Sequence, residues 1–559
     1  MSARAKSKAA VVKADKPPKP GRVKEDRPRR ALFGRRTAEP RPTAPADGAL
    51  IAGYRKPGMS RNKQIMLYAA LAATCISWGV MFGLAAPFKI MPLIAPIPLM
   101  LLLLIWVLPD GEYAPVGALE PLFLAFMTAL ILWPNYIAVA LPYLPWLTLL
   151  RIIGGPMVLI LLLCISISPR FRTKLWDILS SDPWIWKLAL AFVVMQTVSL
   201  GFTERFSLSL NEYIVHQLNH TAIFVISCYL FTIPTFGMRW TYLYLSAGYI
   251  FCFFGLWQKA LDKLPWVDHI PSIFKIESDL LEMMFAGLAR AAIGVKRVQS
   301  IATSPLGLAE LLGLSSAFAL HIVLSRGHLV VRILAAAYLP LILYLIILSD
   351  SRLGIVALMG AMLFYTLIWS LRRWTSDRQS LLGPTLVLAY PAFFAAALAA
   401  SFVVGRLRNA MWGGGAEASS TQSRFVQWEM AWPKILSHPL GHGIGRAAAE
   451  VGFRNPAGRG TLDSYYIVLL MDYGILGFLL YLGFFIRGIW IAGQTTVRYL
   501  PQGELSLLLP LAVALGNFLV VKSVLVLEPN HPLVFMMLGA IVALTYRVKK
   551  MNEANAVGA

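Results

Sequence analysis

Apolar runs long enough to cross a membrane recur along most of the chain, and short polar or basic stretches separate them. A run of about 20 apolar residues predicts a transmembrane α-helix. Such runs occupy residues 65–86, 90–108, 118–140, 147–168, 184–203, 213–233, 240–258, 305–325, 329–348, 353–371, 382–404, 464–490, 507–527 and 531–546. The pattern therefore predicts an all-α polytopic membrane protein with about 14 transmembrane helices.

Two polar stretches, 259–304 and 405–462, are too long to be simple turns, and loops of this length commonly carry function. The first contains "IESDLLEMMFAGLARAAIGVKRV", an amphipathic segment typical of a helix that lies in the lipid interface. The second starts Gly-rich and basic and continues as "VQWEMAWPKILSHPLGHGIG", which predicts a short helix ended by Pro and Gly.

Composition agrees with a membrane protein, since 57% of the residues are hydrophobic and only 14% are charged. The net charge of +23 is concentrated at the start of the chain, where residues 1–63 hold 18 Lys/Arg against five Asp/Glu. This stretch is rich in Pro and Ala and predicts a disordered basic tail in the cytoplasm, ahead of a membrane domain at 64–550. No aromatic platform accompanies the basic residues, so nucleic acid is not an expected partner, whereas anionic membrane lipid is.

Alternating the spans from a cytoplasmic N-terminus places the C-terminus in the cytoplasm as well and both long loops outside. It also places most basic turns in the cytoplasm, as the positive-inside rule requires. These turns contain Arg170, Arg172, Lys174, Arg239, Arg326, Arg372, Arg373, Arg378, Arg498, Arg547, Lys549 and Lys550. The acidic turn around Asp110 and Glu112 departs from the rule and leaves the pairing of the first three spans open.

Ionisable residues gather near the outer ends of the predicted spans, although charge is costly in hydrocarbon. They are Arg151, His216, His220, Glu310, Arg352, Asp463 and Lys522. Seven residues of mixed sign at one depth predict a polar cavity that opens outward. Its Arg and Lys suit an anionic group at headgroup level, such as a lipid-linked diphosphate.

Four segments in the second half of the chain carry a resemblance to a known family. They are "RVQSIATSPLGLAELL" from Arg297, "SRLGIVALMG" from Ser351, "SRFVQWEMAWPKILSHPLGHGIG" from Ser423 and "DSYYIVLLMDYGILG" from Asp463. Their order and spacing over residues 290–545 resemble the O-antigen ligase and polysaccharide polymerase superfamily of multi-spanning glycosyltransferases. The resemblance implies a GT-C-like membrane fold in a bacterial inner membrane, acting on the periplasmic side on sugars carried by undecaprenyl diphosphate.

The resemblance also implies site residues. Arg352 and Arg424 correspond to arginines that bind the donor diphosphate. Arg297, at the start of one resembling segment, and Lys522, one of the ionisable residues at the outer span ends, are weaker supports. Guanidinium groups neutralise a departing diphosphate bidentately, so no metal or other cofactor is expected. Two alternatives stay open, namely that Arg352 only anchors its helix beside Asp350 and that Arg424 is only a solvated loop charge.

Asp463 is the candidate catalytic base. Ligases of the superfamily have a His, then Asn, Ser or Gln, then nine residues and Gly-x-x-Gly; here Asp463-Ser464 is followed by nine residues and then by Gly474 and Gly477. A carboxylate can replace the histidine as base if desolvation raises its pKa. Asp463 could instead be a helix N-cap.

His438 and His442 are alternative bases in the second long loop. Their spacing of four on a Pro- and Gly-rich stretch does not place both on one helical face, so a metal site is not expected there. Asp472 lies about 13 Å further than Asp463 along a straight helix and is not expected to pair with it.

The aspartate in place of the histidine favours a polymerase-like member over a ligase that joins glycan to a lipid core or protein. The Arg-x10-Gly pattern often used to describe polymerases is absent from both loops, because Arg290, Arg297, Arg406, Arg408 and Arg424 have no Gly eleven positions later. A lipid-linked oligosaccharide flippase is the non-enzyme alternative, although alternating access favours a site near mid-membrane. The expected partners are the polyprenyl-diphosphate-linked donor, a glycan acceptor, membrane lipid and proteins of polysaccharide export.

Overall fold

A computed structural model describes residues 65, 69, 105, 108, 110–111, 114–134, 136–139, 147–276, 289–290, 295–403, 405, 418–455, 458 and 460–558. Sixteen helices occupy most of this part of the chain. They are α1 Val116–Leu132, α2 Leu149–Ile167, α3 Pro169–Ser180, α4 Pro183–Ser199, α5 Phe206–His216, α6 Ala222–Leu230, α7 Phe236–Leu261, α8 Pro305–Leu324, α9 Leu329–Leu348, α10 Arg352–Ser376, α11 Leu382–Val403, α12 Ala418–Ser437, α13 Ala447–Val451, α14 Tyr465–Tyr499, α15 Leu508–Lys522 and α16 His531–Gly558.

Short strands occupy two of the connections. An antiparallel sheet of order β2-β1-β3 is formed by β1 Ala138–Val139, β2 Leu147–Thr148 and β3 Phe274–Lys275, and β4 Ala289–Arg290 pairs with β5 Val295–Lys296. A π-helical turn, Gln217–Thr221, joins α5 to α6, and 3-10 turns occupy Val267–His269 and Gly503–Leu507.

The all-α polytopic architecture is confirmed. Eight described helices are long and apolar enough to cross a membrane, and α3 and α4, which meet at 105°, add a ninth if they form one bent span. Each predicted span from 118–140 onward overlaps a helix, whereas 65–86 and 90–108 lie almost wholly outside the described residues. The number of spans therefore stays a prediction, as does the tail at 1–63, which also lies outside the described residues.

Side-chain capping explains where two of the core helices begin. The Ser304 hydroxyl accepts a hydrogen bond from Gly307 N at 3.1 Å, and Pro305 occupies the first helical position of α8. Ser351 caps α10 in the same way through Gly354 N at 3.4 Å. Both caps satisfy backbone donors that a helix start leaves free.

Several helix ends meet at one end of the helical core. Lys522, the last residue of α15, pairs with Glu310 in the second turn of α8 at 2.9 Å. The ring of Tyr465, which begins α14, lies 4.6 Å from that of His531, which begins α16. Leu353, at the start of α10, packs in one cluster with the end of α15. These ends are the ones that the alternating topology places outside.

The opposite end of the core gathers the other helix ends. Arg372, late in α10, donates to the Pro501 carbonyl just after α14 at 2.8 Å. Arg547 in α16 pairs with Glu504 at 2.8 Å, and Glu504 accepts from the backbone of Gly237 at the start of α7. The grouping of ends agrees with the alternating topology. The acidic turn at Asp110 also finds a partner in this structure, since Arg172 lies 3.2 Å from its carboxylate.

The two long loops differ in how much is described. Most of the amphipathic segment predicted within 259–304 lies outside the described residues. In the loop 405–462, the predicted short helix is confirmed as α12, and the chain turns at His438-Pro439-Leu440-Gly441 directly after it. The smaller helix α13 follows, and both helices pack against α14.

α14 is broken at Gly474, which has φ 70° and ψ −174°. The turn after α12 inserts at this break and satisfies the backbone groups that the break frees. Pro439 O accepts from Ile475 N at 3.0 Å, and His442 N donates to Met471 O at 2.7 Å. The physical reason for the break is the insertion of this loop.

Candidate functional site

Arg424 and Asp463 form an ion pair at the start of α14. Arg424 lies in α12, and its Nε is 3.6 Å from Oδ2 of Asp463. Gln427, one turn further along α12, is buried, and its Oε1 accepts from the Asp463 backbone N–H at 2.8 Å. Because residues three apart share a helical face, α12 fixes both the backbone and the side chain of Asp463.

Asp463 is not a helix cap, which corrects that alternative. The N-cap position of α14 is Ser464, which makes no side-chain cap hydrogen bond. Partial burial raises the pKa of Asp463 above its ordinary value, while Arg424 and the contact with Gln427 oppose that rise. A carboxylate of raised pKa at the rim of the fold is suited to accept a proton.

Arg352 and Arg297 lie around the turn between α9 and α10. Arg352 is the first residue of α10, where the helix dipole favours an anion. Arg297 donates from Nε to Ser349 O at 2.8 Å and from Nη2 to Asp350 O at 3.4 Å. Asp350 adopts a left-handed φ of 46°, so Arg297 binds the most strained residue of this turn. The structure therefore gives Arg297 a part in positioning the start of α10.

Lys522 is fully buried. Its ammonium lies 2.9 Å from Glu310 Oε1, donates to Leu527 O, and lies 5.8 Å from the centroid of the Tyr465 ring. Asn530 donates to the other oxygen of Glu310 at 2.8 Å. This placement favours a structural part for Lys522 and separates it from the exposed rim that holds Asp463.

His438 and His442 come together even though they do not share a helical face. The turn after α12 brings their ring centroids to 4.6 Å. Burial lowers the pKa of His442, whose Nδ1 is 3.3 Å from Met471 O. Both rings line a cleft of about 620 Å³ together with Lys434, Glu204 and Glu450. Both histidines are therefore accessible from the cleft, and each stays an alternative candidate for the base.

Glu528 and His531, at the outer end of the core, were not identified from the sequence. Glu528 Oε2 lies 3.2 Å from His216 Nε2 and 3.6 Å from Nδ1 of the buried His531. His220 joins them, since its ring centroid is 4.7 Å from that of His216. The spacing of Glu528 and His531 in "EPNH" is the sequence signal that marks them, because both lie next to a predicted span end.

Asp472, which the sequence does not predict to pair with Asp463, has a structural role. It is buried, and its carboxylate accepts from three consecutive backbone N–H groups, those of Gly445 at 2.9 Å, Arg446 at 3.0 Å and Ala447 at 2.8 Å. These donors lead into α13. Asp472 therefore holds the loop against α14, and no described contact joins it to Asp463.

Residues 312–482 match the family model for O-antigen ligase. The resemblance to the O-antigen ligase and polymerase superfamily is thereby confirmed. No curated protein was found to match the chain. The match supports a membrane glycosyltransferase and does not distinguish a ligase from a polymerase.

The O-antigen ligase segment contains three residues expected to carry the chemistry, namely Arg352, Arg424 and Asp463. It also contains both histidines of the cleft, whereas Arg297 and Lys522 lie outside it. Within the segment the structure joins Arg424 to Asp463 and places Arg352 at the same end of the core. The rim therefore brings together guanidinium groups, which can bind an anion, and a carboxylate, which can accept a proton.

Proposed function

We propose that this protein is a polysaccharide polymerase-like glycosyltransferase. It transfers a glycan from undecaprenyl diphosphate to a sugar hydroxyl of the acceptor, on the periplasmic side of a bacterial inner membrane, with both termini in the cytoplasm. The observation that carries the proposal is the ion pair of Arg424 with Asp463 at the start of α14, within the O-antigen ligase segment. The pair joins an anion-binding group to a base at the rim where a lipid-linked donor and a soluble glycan can meet.

Asp463 acts as the general base. The acceptor hydroxyl gives its proton to a carboxylate oxygen of Asp463, and its oxygen forms a bond to the anomeric carbon of the donor. The bond from that carbon to the diphosphate oxygen breaks, and the electron pair leaves with the polyprenyl diphosphate. Because its pKa is raised by partial burial, the Asp463 carboxylate is suited to accept this proton.

Arg424 and Arg352 neutralise the charge that develops on the leaving diphosphate, so this step needs no metal ion. Arg424 lies 3.6 Å from the carboxylate of Asp463. A bound diphosphate competes for the guanidinium and draws it from the carboxylate. Donor binding thus frees the base, which couples the two halves of the reaction.

The test is polymer length in membranes that carry Asp463→Asn, measured on a ladder gel of lipid-linked glycan at matched expression. We expect high-molecular-weight product to vanish and single repeat units to accumulate outside. Asp262→Asn is the matched control, because Asp262 is also an outward-loop aspartate and its side chain pairs with the exposed Lys259 at 3.5 Å. An unchanged ladder for Asp463→Asn would move the base to His438 or His442.

Ligation is the second candidate, because the matching family model is described as O-antigen ligase. A ligase transfers the same donor glycan to a lipid core or to a protein. Loss of glycan-modified lipid core or protein in Asp463→Asn, with lipid-linked polymer of full length, would select the ligase. Repeat units trapped on the cytoplasmic face would instead indicate a flippase.

A further inference from the structure

A cluster of histidines lies behind the start of α14, on the core side of Tyr465. His216, His220 and Glu528 each offer one ligand atom, and these atoms all lie within 4.8 Å of one another. His216 and His220 are buried, and the side chain of Glu528 is 36% exposed. Two imidazoles and a carboxylate form a ligand set that binds Zn²⁺ and related divalent ions.

The spacing is close to that of a metal site. Zn–N and Zn–O bonds of about 2.0–2.1 Å in a tetrahedral site place neighbouring ligand atoms about 3.3 Å apart. His216 Nε2 and Glu528 Oε2 are already 3.2 Å apart. Bringing the ligand nitrogen of His220 to this spacing requires a shift of about 1–1.5 Å, which a side-chain rotation provides.

Neighbouring residues orient both rings. The other nitrogen of His216, Nδ1, lies 3.1 Å from the Tyr473 hydroxyl, which leaves Nε2 directed at Glu528. Histidine ligands are characteristically held this way, by a hydrogen bond at the nitrogen that does not bind the metal. The His220 ring stacks on Phe535 with centroids 4.5 Å apart and an angle of 7°.

The backbone that carries the two histidines is unusual. The π-helical turn Gln217–Thr221 follows directly after His216 and contains His220. π-Turns are rare and occur frequently at functional sites. The turn brings the two ring centroids to 4.7 Å on one side of the helix.

His531 adds an independent indication of a ligand. It is fully buried, and neither of its ring nitrogens has a hydrogen-bond partner in the described structure. Its Nδ1 is 3.6 Å from Glu528 Oε2, too far for a hydrogen bond. A buried imidazole that satisfies neither nitrogen is costly, and a metal ion beside Glu528 would supply the missing partner.

Charge and access also favour a cation. A cleft of about 320 Å³ reaches His216 and Glu528, and its lining includes the carboxylates of Glu212 and Asp472. The ammonium of Lys522, which lies over the Tyr465 ring, is already paired with Glu310 at 2.9 Å. The cleft therefore offers a divalent ion a route lined by negative charge.

We propose that His216, His220 and Glu528 bind a divalent transition-metal ion, with Zn²⁺ as the first choice and His531 as a further ligand. This departs from the expectation from sequence that the protein holds no metal. The ion ties α5 and the π-turn to the start of α16, behind the rim that carries Asp463. Its role is to fix this packing, and the transfer step does not pass through it.

The experiment measures metal content of the full-length protein, purified in detergent and dialysed first against a chelator and then against Zn²⁺. We expect about one Zn²⁺ per chain in the wild type and at least a tenfold loss of affinity in His216→Ala and in Glu528→Gln. His328→Ala is the matched control, because His328 is exposed at the start of α9, and it should keep the wild-type content. Co²⁺ in place of Zn²⁺ should give the visible absorption of a tetrahedral site in the wild type alone.

Two results would overturn the proposal. One is a wild type that retains no more Zn²⁺ or Co²⁺ than the Glu528→Gln variant does. The other is stoichiometric metal that survives in both variants. Glu528→Gln keeps the size of a half-exposed side chain, so it remains informative if His216→Ala does not fold. Metal content is measured without substrate, and failure here leaves the proposed glycosyl transfer untouched.

Discussion

The buried pair of Lys522 and Glu310 gives the sharpest test of how the outer end is divided between structure and function. Both side chains have zero exposure, and Nζ lies 2.9 Å from Oε1. At an effective dielectric constant of about 20, that distance corresponds to an attraction of about 6 kcal/mol. Desolvation of two ions offsets most of this attraction, so the intact pair contributes little net stability.

Removing one partner is different, because it leaves the other charge buried without compensation. We expect Lys522→Met to lower the free energy of unfolding by about 3–5 kcal/mol. Glu310→Gln should also destabilise the protein. The double variant Lys522→Met/Glu310→Gln should lose less than the two single losses combined, by up to about 3 kcal/mol.

The assay is unfolding of the purified protein in mixed micelles, followed by tryptophan fluorescence, together with donor KM in membranes. Lys550→Met is the matched control, since Lys550 pairs with Glu553 at the surface and should leave the stability close to that of the wild type. Wild-type stability combined with a raised donor KM in Lys522→Met would refute the reasoning. That result would show that Lys522 binds the diphosphate, as the sequence first suggested.

Three further outcomes are expected. Gly474→Ala should lower the free energy of unfolding by more than about 3 kcal/mol, measured by thermal unfolding. A φ of 70° is strained for alanine, and the added Cβ would lie 2.1 Å from the backbone of the inserted loop. Gly493→Ala is the control and should be neutral, because a Cβ at Gly493 would meet open space. Since Arg424 opposes the raised pKa of Asp463, Arg424→Gln should move the acid limb of the pH profile of kcat/KM to higher pH, and an acid limb that stays in place would exclude Asp463 as the base. Deletion of residues 1–63 should leave polymer length unchanged if topology and lipid attraction are the tail's only roles, and a shortened ladder would point to a cytoplasmic partner.

Sequence reasoning anticipated the helices because the signal for a membrane-spanning helix is local. Length and apolarity placed α9 at residues 329–348, the range that the structure shows. The depth argument also grouped His216, His220, Glu310 and Lys522, which the structure gathers around the outer end of the core. A charged residue within one apolar span is unfavourable in hydrocarbon, so it can be recognised from that span alone.

Contacts between distant segments could not be anticipated in this way. Nothing near Gly474 in sequence indicates that Pro439 and His442 complete the backbone at its break. Asp472 was judged only by its distance from Asp463 along one helix, whereas its partners are backbone N–H groups 25 to 27 residues away. Glu528 lies next to a predicted span end, but nothing near it in the sequence indicates its contact with His216.

The outer end therefore has an open part and a closed part, and Tyr465 stands between them. On its rim side, two residues earlier, Asp463 pairs with Arg424 at a loose 3.6 Å, and both side chains are about one-third exposed. On its core side, its ring contacts His531 and lies beneath the ammonium of Lys522. A loose, half-exposed pair can exchange its partner for a diphosphate at little cost, because water already solvates both ions. The buried pair of Lys522 and Glu310 cannot exchange its partner in this way, because separating the two ions leaves an uncompensated charge in the interior. Substitutions on the rim side should consequently change kinetics at constant stability, and those on the core side should change stability first.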